Sequence, residues 1–436
     1  MIAESTAIIL MVVMFFGLII LRIPVAYAIG ISSCVTMYLL GLPLMQCVQL
    51  MVKGVFSFSL MAVPFFILAG EIMGKGGISD KLIELSDAII GWMRGGLAMV
   101  NIVASTFFGG ISGSSAADTA SLGTILIPMM VKQGYDDDFS ANVTMTSSVQ
   151  GILIPPSHNM VIFCTVAGTV SIGRMFMGGI VPGLLLGFAL CVYSYIISCQ
   201  RNYPKGDKFN LMRLIKTLGS ALWGLVTVMI VVVGVVAGIF TATESAAIAV
   251  VWAFFVSIFI YRKMNLVDVW NVLENGLGTL AISLILISTS SIFGWLLTYL
   301  KVPEIVASSV MSVTGGNYLL TILLLNIIML IFGTMMDMSC IILTLTPILL
   351  PIAVSIGMDP VHFGVMMILN LGIGLITPPV GSTLFIGSAV SRVPIERLSK
   401  TLLPFYAVML VVLAMVALIP GMVMTLPNLL MPISIG

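Results

Sequence analysis

Apolar residues run through this chain in long blocks, not in the strict alternation of half-buried strands. Blocks near residues 5–21, 22–42, 57–74, 141–170, 176–199, 220–240, 241–261, 277–299, 363–391 and 402–425 each predict a bilayer-crossing helix, for which about 20 apolar residues suffice. Two other stretches, 97–131 and 319–351, are apolar at both ends and polar in the middle. Each is too long for one crossing and too short for two, so both predict helical hairpins that enter and leave on the same side. Segments 78–92 and 266–277 mix charges with Leu, Ile, Val and Trp at helical spacing. They predict either interfacial helices or ordinary connecting ones.

Of the 436 residues, 60% are hydrophobic and 8% charged, with a mean hydropathy of +1.21. That exceeds what one globular core can use, so the fold class is an all-α polytopic membrane protein. No room remains for a soluble catalytic or nucleotide-binding domain. A net charge of +1 excludes a nucleic-acid footprint, and no glycine-rich phosphate loop with its lysine occurs. The six cysteines, Cys34, Cys47, Cys164, Cys191, Cys199 and Cys340, are scattered without a CxxC pair, which predicts neither a disulfide framework nor a zinc site. Glu4 with no basic segment around it makes 7–21 a retained helix and not a cleaved signal.

The charge that remains sets the orientation. If the loop with Arg201, Lys205, Lys208, Arg213 and Lys216 is cytoplasmic, so are Arg22, Lys75, Lys81, Arg94, Lys132, Arg262, Lys263, Arg392, Arg397 and Lys400. Only Lys53, Arg174 and Lys301 then fall outside. Both termini come out periplasmic, and the hairpins enter from opposite sides, the first from the cytoplasm.

Opposite entry predicts an inverted repeat. Gly151-Ile-Leu-Ile-Pro-Pro-Ser157 resembles Gly374-Leu-Ile-Thr-Pro-Pro-Val380, and Phe108-Gly109 matches Phe332-Gly333. Ile127-Pro128 matches Leu350-Pro351, and Gly70 matches Gly294, all at an offset of 223 or 224 positions. With slight drift, Ile23-Pro-Val-Ala-Tyr-Ala28 faces Ala242-Thr-Glu-Ser-Ala-Ala247. The halves are 1–217, with scaffold helices, hairpin 97–131 and broken helix 141–170, and 218–436, with scaffold helices, hairpin 319–351 and broken helix 363–391. Each holds five crossings and one re-entrant hairpin.

Backbone polar groups left unpaired in hydrocarbon cost several kcal/mol, so helix breaks persist there only where protein or a polar cavity takes over their hydrogen bonds. Four such breaks occur, in two pairs. The first joins the tip Gly109-Gly-Ile-Ser-Gly-Ser-Ser115 to Pro155-Pro-Ser-His-Asn159, and the second joins Gly333-Thr-Met-Met-Asp-Met-Ser339 to Thr377-Pro-Pro-Val-Gly-Ser-Thr383. Each double proline removes two backbone donors and disfavours helix at the preceding residue. Freed carbonyls and the facing Ser and Thr hydroxyls make an all-oxygen shell suited to a hard monovalent cation such as Na⁺. Half-helix N-termini at the same breaks suit an anion.

Carboxylates at membrane depth are functional candidates by default, and there are four: Glu71, Asp118, Glu244 and Asp337. Asp118 and Asp337 belong to the hairpin tips, where they orient the tip loops or compensate bound Na⁺, or else cap a helix. Glu71 falls beside Lys75, either functional or at a solvated helix end, and Glu244 follows Thr243 at a predicted helix start. His158 and His362 are isolated and predict no metal site. Asp136-Asp137-Asp138 reads as a solvated face, and the 32 methionines as packing or lipid-facing residues.

Taken together, Ser112-Gly-Ser-Ser-Ala-Ala-Asp118, Ile154-Pro-Pro-Ser157, Phe240-Thr-Ala-Thr-Glu-Ser-Ala-Ala247 and Gly374-Leu-Ile-Thr-Pro-Pro-Val-Gly381 resemble the large membrane subunit of tripartite ATP-independent periplasmic (TRAP) transporters. The sialic-acid permeases look nearest among them. The resemblance implies a Na⁺-coupled secondary importer of the bacterial inner membrane, moving an organic anion by an elevator motion of a transport domain against a scaffold. It implies two partners, a small four-helix membrane subunit and a periplasmic substrate-binding protein. Because the chain begins directly with its first span, the small subunit is expected as a separate polypeptide.

By the same resemblance one Na⁺ site uses Ser112, Gly113, Ser114 and Ser115 with Pro155, Pro156, Ser157 and Asn159. The other uses Gly333, Asp337 and Ser339 with Thr377, Pro378, Pro379 and Gly381. The anion is expected between the tips, at Ser114, Ser157, Asn159, Ser382 and Thr383. Asp118, Glu244 and Glu71 are structural or coupling carboxylates. Two or more Na⁺ ions, and neither ATP nor an organic cofactor, complete the expectation. The alternatives are a stand-alone Na⁺/dicarboxylate or citrate symporter and an intramembrane aspartyl enzyme using Asp118 and Asp337. The latter lacks a GxGD-type motif.

Overall fold

The computed structural model describes residues 4–21, 23–56 and 59–432, so the cytoplasmic assignment of Arg22 lies outside the described residues. Every named element among them is helical. In chain order they are α1 (Glu4–Ile20), α2 (Val25–Leu39), α3 (Leu44–Val55), α4 (Ala62–Lys75), α5 (Ile78–Ile90), α6 (Gly96–Ser112), α7 (Ser115–Lys132), α8 (Asp137–Gly151), α9 (His158–Ala167) and α10 (Ile172–Gln200). There follow α11 (Leu211–Val236), α12 (Ala242–Phe255), α13 (Leu266–Tyr299), α14 (Val302–Thr314), α15 (Tyr318–Gly333), α16 (Met338–Ser355), α17 (Pro360–Leu375), α18 (Ser382–Ser391), α19 (Ile395–Leu418) and α20 (Pro420–Leu430).

Six helices among the described residues are long and apolar enough to cross a membrane: Ile172–Gln200, Leu211–Val236, Ala242–Ile260, Val267–Tyr299, Met338–Ser355 and Ile395–Leu418. This is a polytopic membrane protein. Five of the six answer to predicted crossings, and the sixth, α16, is an arm of the second predicted hairpin. The other predicted spans are shorter helices or helices in two pieces. Segment 266–277 is not a separate interfacial helix. It is the first part of α13, which Asn265 and Asp268 start with a reciprocal capping box and which then runs for 34 residues. Helices α3, α14 and α20 have no counterpart in the hydropathy reading, because each is only 11 to 13 residues long.

Both hairpins form. The first is α6 and α7 around Gly113, whose φ of 59° closes the turn as a residue with a Cβ rarely can. The second is α15 and α16 around residues 334–337. The predicted broken helices are α8 with α9 and α17 with α18, each interrupted at its double proline, where the Pro155–Pro156 and Pro378–Pro379 bonds are cis. Helices α6 and α7 pack against α8, α15 packs against α17, and α16 packs against α9 and α17. On the other side, α4 packs against α6, α9 and α12, while α13 packs against α2, α3, α4 and α16. Hairpins and broken helices thus form the middle of the molecule, with α8 and α17 buried along nearly their whole length.

Several basic loops meet at one end. Tyr203 and Arg201 both donate to Asp136 Oδ2, at 2.7 and 2.6 Å, while Arg397 pairs with Asp137 at 2.6 Å. The Tyr203 hydrogen bond, with Arg201 beside it, holds the Asp136 carboxyl below its ordinary value. Asp136-Asp137-Asp138 is therefore an ion-paired clasp between loops and not merely a solvated face. All six cysteines are free.

Candidate functional site

The two hairpin tips reach the two double-proline breaks, and a close glycine contact makes each approach possible. A Cβ on Gly109 would lie 2.1 Å from Gly151 Cα, and one on Gly374 would lie 2.6 Å from Gly333 Cα. Backbone meets backbone at both crossings, and no side chain fits between.

At the first crossing Asn159 Nδ2 donates to Gly113 O at 3.1 Å, and His158 Nδ1 lies 3.3 Å from Ser112 O, a contact that requires the proton on Nδ1. Ser114 is the N-cap of α7, accepting from Ala117 N. Ser157 is fully buried at the break, and its hydroxyl has no hydrogen-bond partner among the described residues. Ser115 does not face the tip. Its hydroxyl lies 2.7 Å from Ser148 Oγ on α8 and accepts from Thr383 Oγ1 at 3.1 Å.

At the second crossing the backbone does the work. Val380 N and Gly381 N both donate to Thr334 O, at 3.1 and 3.2 Å. Asp337 is the N-cap of α16, with Oδ1 accepting from Ser339 N at 2.9 Å, and its carboxylate is exposed. Ser339 Oγ donates across to Asn159 Oδ1 at 3.3 Å, so Asn159 joins both hairpins. Thr377 Oγ1 turns back to Ile373 O, Pro378 and Pro379 are exposed, and Gly381 holds a φ of 49°. Of the residues expected to hold the anion, Ser157, Asn159 and Thr383 are buried, Ser382 is half-buried and Ser114 alone lines the cavity described below.

Asp118 and Asp337 are not equivalents, as their common placement at the tips had implied. Asp337 occupies the cap position that Ser114 fills in the first hairpin. Asp118 lies one turn inside α7 and is only 1% exposed. Ser105 is beside it, but the Ser105 hydroxyl lies 3.0 Å from Ser147 Oγ, and neither Asp118 oxygen has a hydrogen-bond partner. Glu244 caps α12 in a reciprocal box with Thr241 and stands away from the crossings. Glu71, one turn before the end of α4, is half-buried and faces the centre.

Between the tips and the helices α4 and α13 lies a cavity of about 700 Å³. Ser112, Ser114, His158, Asp337 and Ser339 form one wall, and Glu71, Lys75, Thr279 and Ser283 contribute to the other. The spacing i, i+4 of Glu71 with Lys75 and of Thr279 with Ser283 was the available signal for that second wall, since it puts each pair on one helix face. His158, isolated in sequence, joins the site through the tip. No group of three His, Cys, Asp or Glu side chains that could hold a metal ion occurs among the described residues.

Comparison with solved structures finds the YdaH transporter of Alcanivorax borkumensis, described as having an unusual topology, at a TM-score of 0.63. It is 14% identical and covers 85% of this chain and 87% of that one, a likeness of fold. Among curated proteins, the C4-dicarboxylate TRAP transporter large permease protein DctM of Pseudomonas aeruginosa is 41% identical over 85% of this chain and 86% of its own. The sialic acid TRAP transporter large permease protein SiaM of Vibrio cholerae is 37% identical over 87% and 89%. Both are transporter permeases, which removes the aspartyl-enzyme alternative. Residues 12–422 match the family described as the tripartite ATP-independent periplasmic transporter, DctM component, and the chain belongs to that family as a large permease subunit.

Proposed function

We propose that this chain imports an organic anion driven by Na⁺, as the transport subunit of a three-part system in the bacterial inner membrane. The observation that carries the reading is the pair of hairpin tips seated on double-proline breaks, with cap residues, carbonyls and hydroxyls facing one cavity. Ser157 supports a cation at the first crossing, because a buried hydroxyl without a partner is costly unless something binds it. The exposed Asp337 carboxylate supports a cation at the second. Around them we place Ser112, Gly113 and the 155–159 segment in one Na⁺ site, and Gly333, Ser339 and the 377–381 segment in the other. Ser115 contributes to the first through the α8 contact and not from the tip. When bound, Na⁺ supplies positive charge beside the anion, and the chain's residues hold the tips closed around it.

The halves are taken as an inverted repeat, with helix bounds such as Ser115–Lys132 and Met338–Ser355 recurring in order. Hairpins and broken helices would move as one body against α4, α12 and α13, an elevator motion. A small membrane subunit and a periplasmic binding protein complete the assembly, and both termini are periplasmic. The substrate is a carboxylate. Sialic acid or another sugar acid and a C4-dicarboxylate are the two chemistries to try first, since the relatives above carry those names.

The test is uptake into proteoliposomes carrying this chain, its small subunit and its binding protein. Labelled N-acetylneuraminate or succinate should accumulate only under an inward Na⁺ gradient. Equal uptake in K⁺ medium would defeat the mechanism, and uptake by this chain alone would favour a stand-alone symporter.

A further inference from the structure

The central cavity presents an anion with an electrostatic problem. Two carboxylates line it, Glu71 from α4 and Asp337 from the second tip, and neither tip nor break contains a lysine or arginine. Among the described residues one basic side chain lines the space, Lys75, at the end of α4. Its position is set by packing: a Cβ on the neighbouring Gly74 would lie 3.6 Å from Ser121 Oγ and 3.8 Å from Phe108. The end of α4 is thereby pressed against both arms of the first hairpin, and Lys75 projects into the same cavity as Ser114 and Ser112. Lys75 is exposed, and no ion pair engages it among the described residues, Glu71 included. An ammonium left unpaired at the wall of this cavity is free to meet an incoming acid group, and charge-assisted hydrogen bonds to carboxylates are the strong ones.

We propose that Lys75 is a substrate-binding residue: its ammonium meets the carboxylate of the transported anion from the wall opposite the hairpin tips. This rests on the import reading above and adds to it a contact from α4. Because α4 belongs to the proposed stationary wall, the contact exists only while the tips face it. Lys75 therefore selects for an acid group in one of the two access states and releases the anion when the tips move away.

The experiment is equilibrium binding of labelled N-acetylneuraminate and succinate to the purified membrane complex in Na⁺ buffer, without the binding protein, for wild type, Lys75→Met, Lys75→Arg and Lys75→Cys. Lys75→Met should raise Kd by about tenfold or more, the usual consequence of losing a charged hydrogen bond. Lys75→Arg should stay near wild type, and the Na⁺ concentration for half-maximal binding should be unchanged in all. Lys75→Cys should regain affinity when an aminoethyl thiosulfonate reagent restores a positive charge, and not with a neutral reagent of the same size. The wild type given the same reagents controls for the native cysteines. An unchanged Kd in Lys75→Met, or equal rescue by the neutral reagent, overturns the assignment. Wild type that binds neither anion in Na⁺ would instead bring down the import reading beneath it.

Discussion

The two halves solve the same problem, a hairpin tip resting on a broken helix, with different materials. In the first half the break is sealed. Pro155, Pro156 and Ser157 are buried, and side chains from the following helix, His158 and Asn159, reach the tip. The helix behind them, α8, carries a polar face: Asn101 Nδ2 donates to Thr144 Oγ1 at 2.6 Å, and Ser115 and Thr119 meet Ser148 Oγ at 2.7 and 2.9 Å. In the second half Pro378, Pro379 and Val380 are exposed, two backbone amides hold the tip, and α17 is apolar but for His362 and Asn370. A polar seam fixes the first hairpin in one register, because a slip would strand buried hydroxyls. A largely apolar seam, held by the Asn370–Asn326 pair and a backbone latch, has fewer such groups to strand. The second tip also carries an acidic cap where the first carries a serine, so the proposed cation sites should differ in strength.

The sharpest way to break this comparison is through its shared feature, the glycine crossings. Gly109→Ala puts a methyl group against backbone that cannot rotate away, and should cost more than the about 1–3 kcal/mol of ordinary overpacking. Gly374→Ala should cost less, and Gly333→Ala least, since its Cβ would lie 3.2 Å from Gly374 Cα. Thermal unfolding of the detergent-solubilised variants checks the order.

Next comes the cap. Asp337→Ala should abolish Na⁺-driven uptake with expression retained, and Asp337→Ser, which keeps a capping oxygen, should restore stability without restoring uptake. Ser114→Ala should lose about 1 kcal/mol of stability together with transport. Wild-type uptake in both alanine variants would refute the proposed site.

The polar seam itself is tested by Ser148→Ala, expected to cost about 1–3 kcal/mol because Ser115 and Thr119 lose a buried partner. Asn370→Leu in the second seam should cost a similar amount, because its Nδ2 donates to Asn326 O and Oδ1 at 3.0 and 2.8 Å and both acceptors lose that partner. Asp118→Asn should raise the melting temperature, since a carboxyl buried without a partner must either carry a desolvated charge or take up a proton, and an amide does neither. A fall would show that something compensates the carboxylate in the membrane.

Smallest is the clasp at Asp136. Its carboxyl is depressed in the folded chain, so its contribution is present at neutral pH and disappears as pH falls through a value below the ordinary 3.8. The group is mostly exposed, and solvent screening keeps the effect under about 1 kcal/mol. Asp136→Asn should therefore lower stability slightly near pH 7, flatten the acid side of the profile and converge on wild type at low pH.

Much of this arrangement was legible in the residues. Polar interruptions in two apolar stretches announced the hairpins, because hydrocarbon tolerates broken helices only where something replaces the lost hydrogen bonds. The double prolines marked the breaks for the same reason, and Glu244 after Thr243 marked a helix start, although the capping residue is Thr241. Other features were not legible. Helix α13 runs unbroken through 266–277, where Val272 is buried in the cluster that holds Ile72 and Met73 of α4. Asp118 and Asp337 look alike as acids in polar loops, yet one caps a helix and the other is buried.

By itself the sequence determined what is local: which segments are helical, where they break and which residue types crowd the breaks. These follow from periodicity, from missing backbone donors and from the cost of polar groups in lipid. Tertiary structure alone decided what depends on meeting across the fold. It brought α4 and α13 to the far wall of the cavity, turned Ser115 toward α8, joined Asn159 to both hairpins and left Lys75 without an ion pair at the cavity wall. Burial and pairing belong to two surfaces at once, and no single segment encodes them.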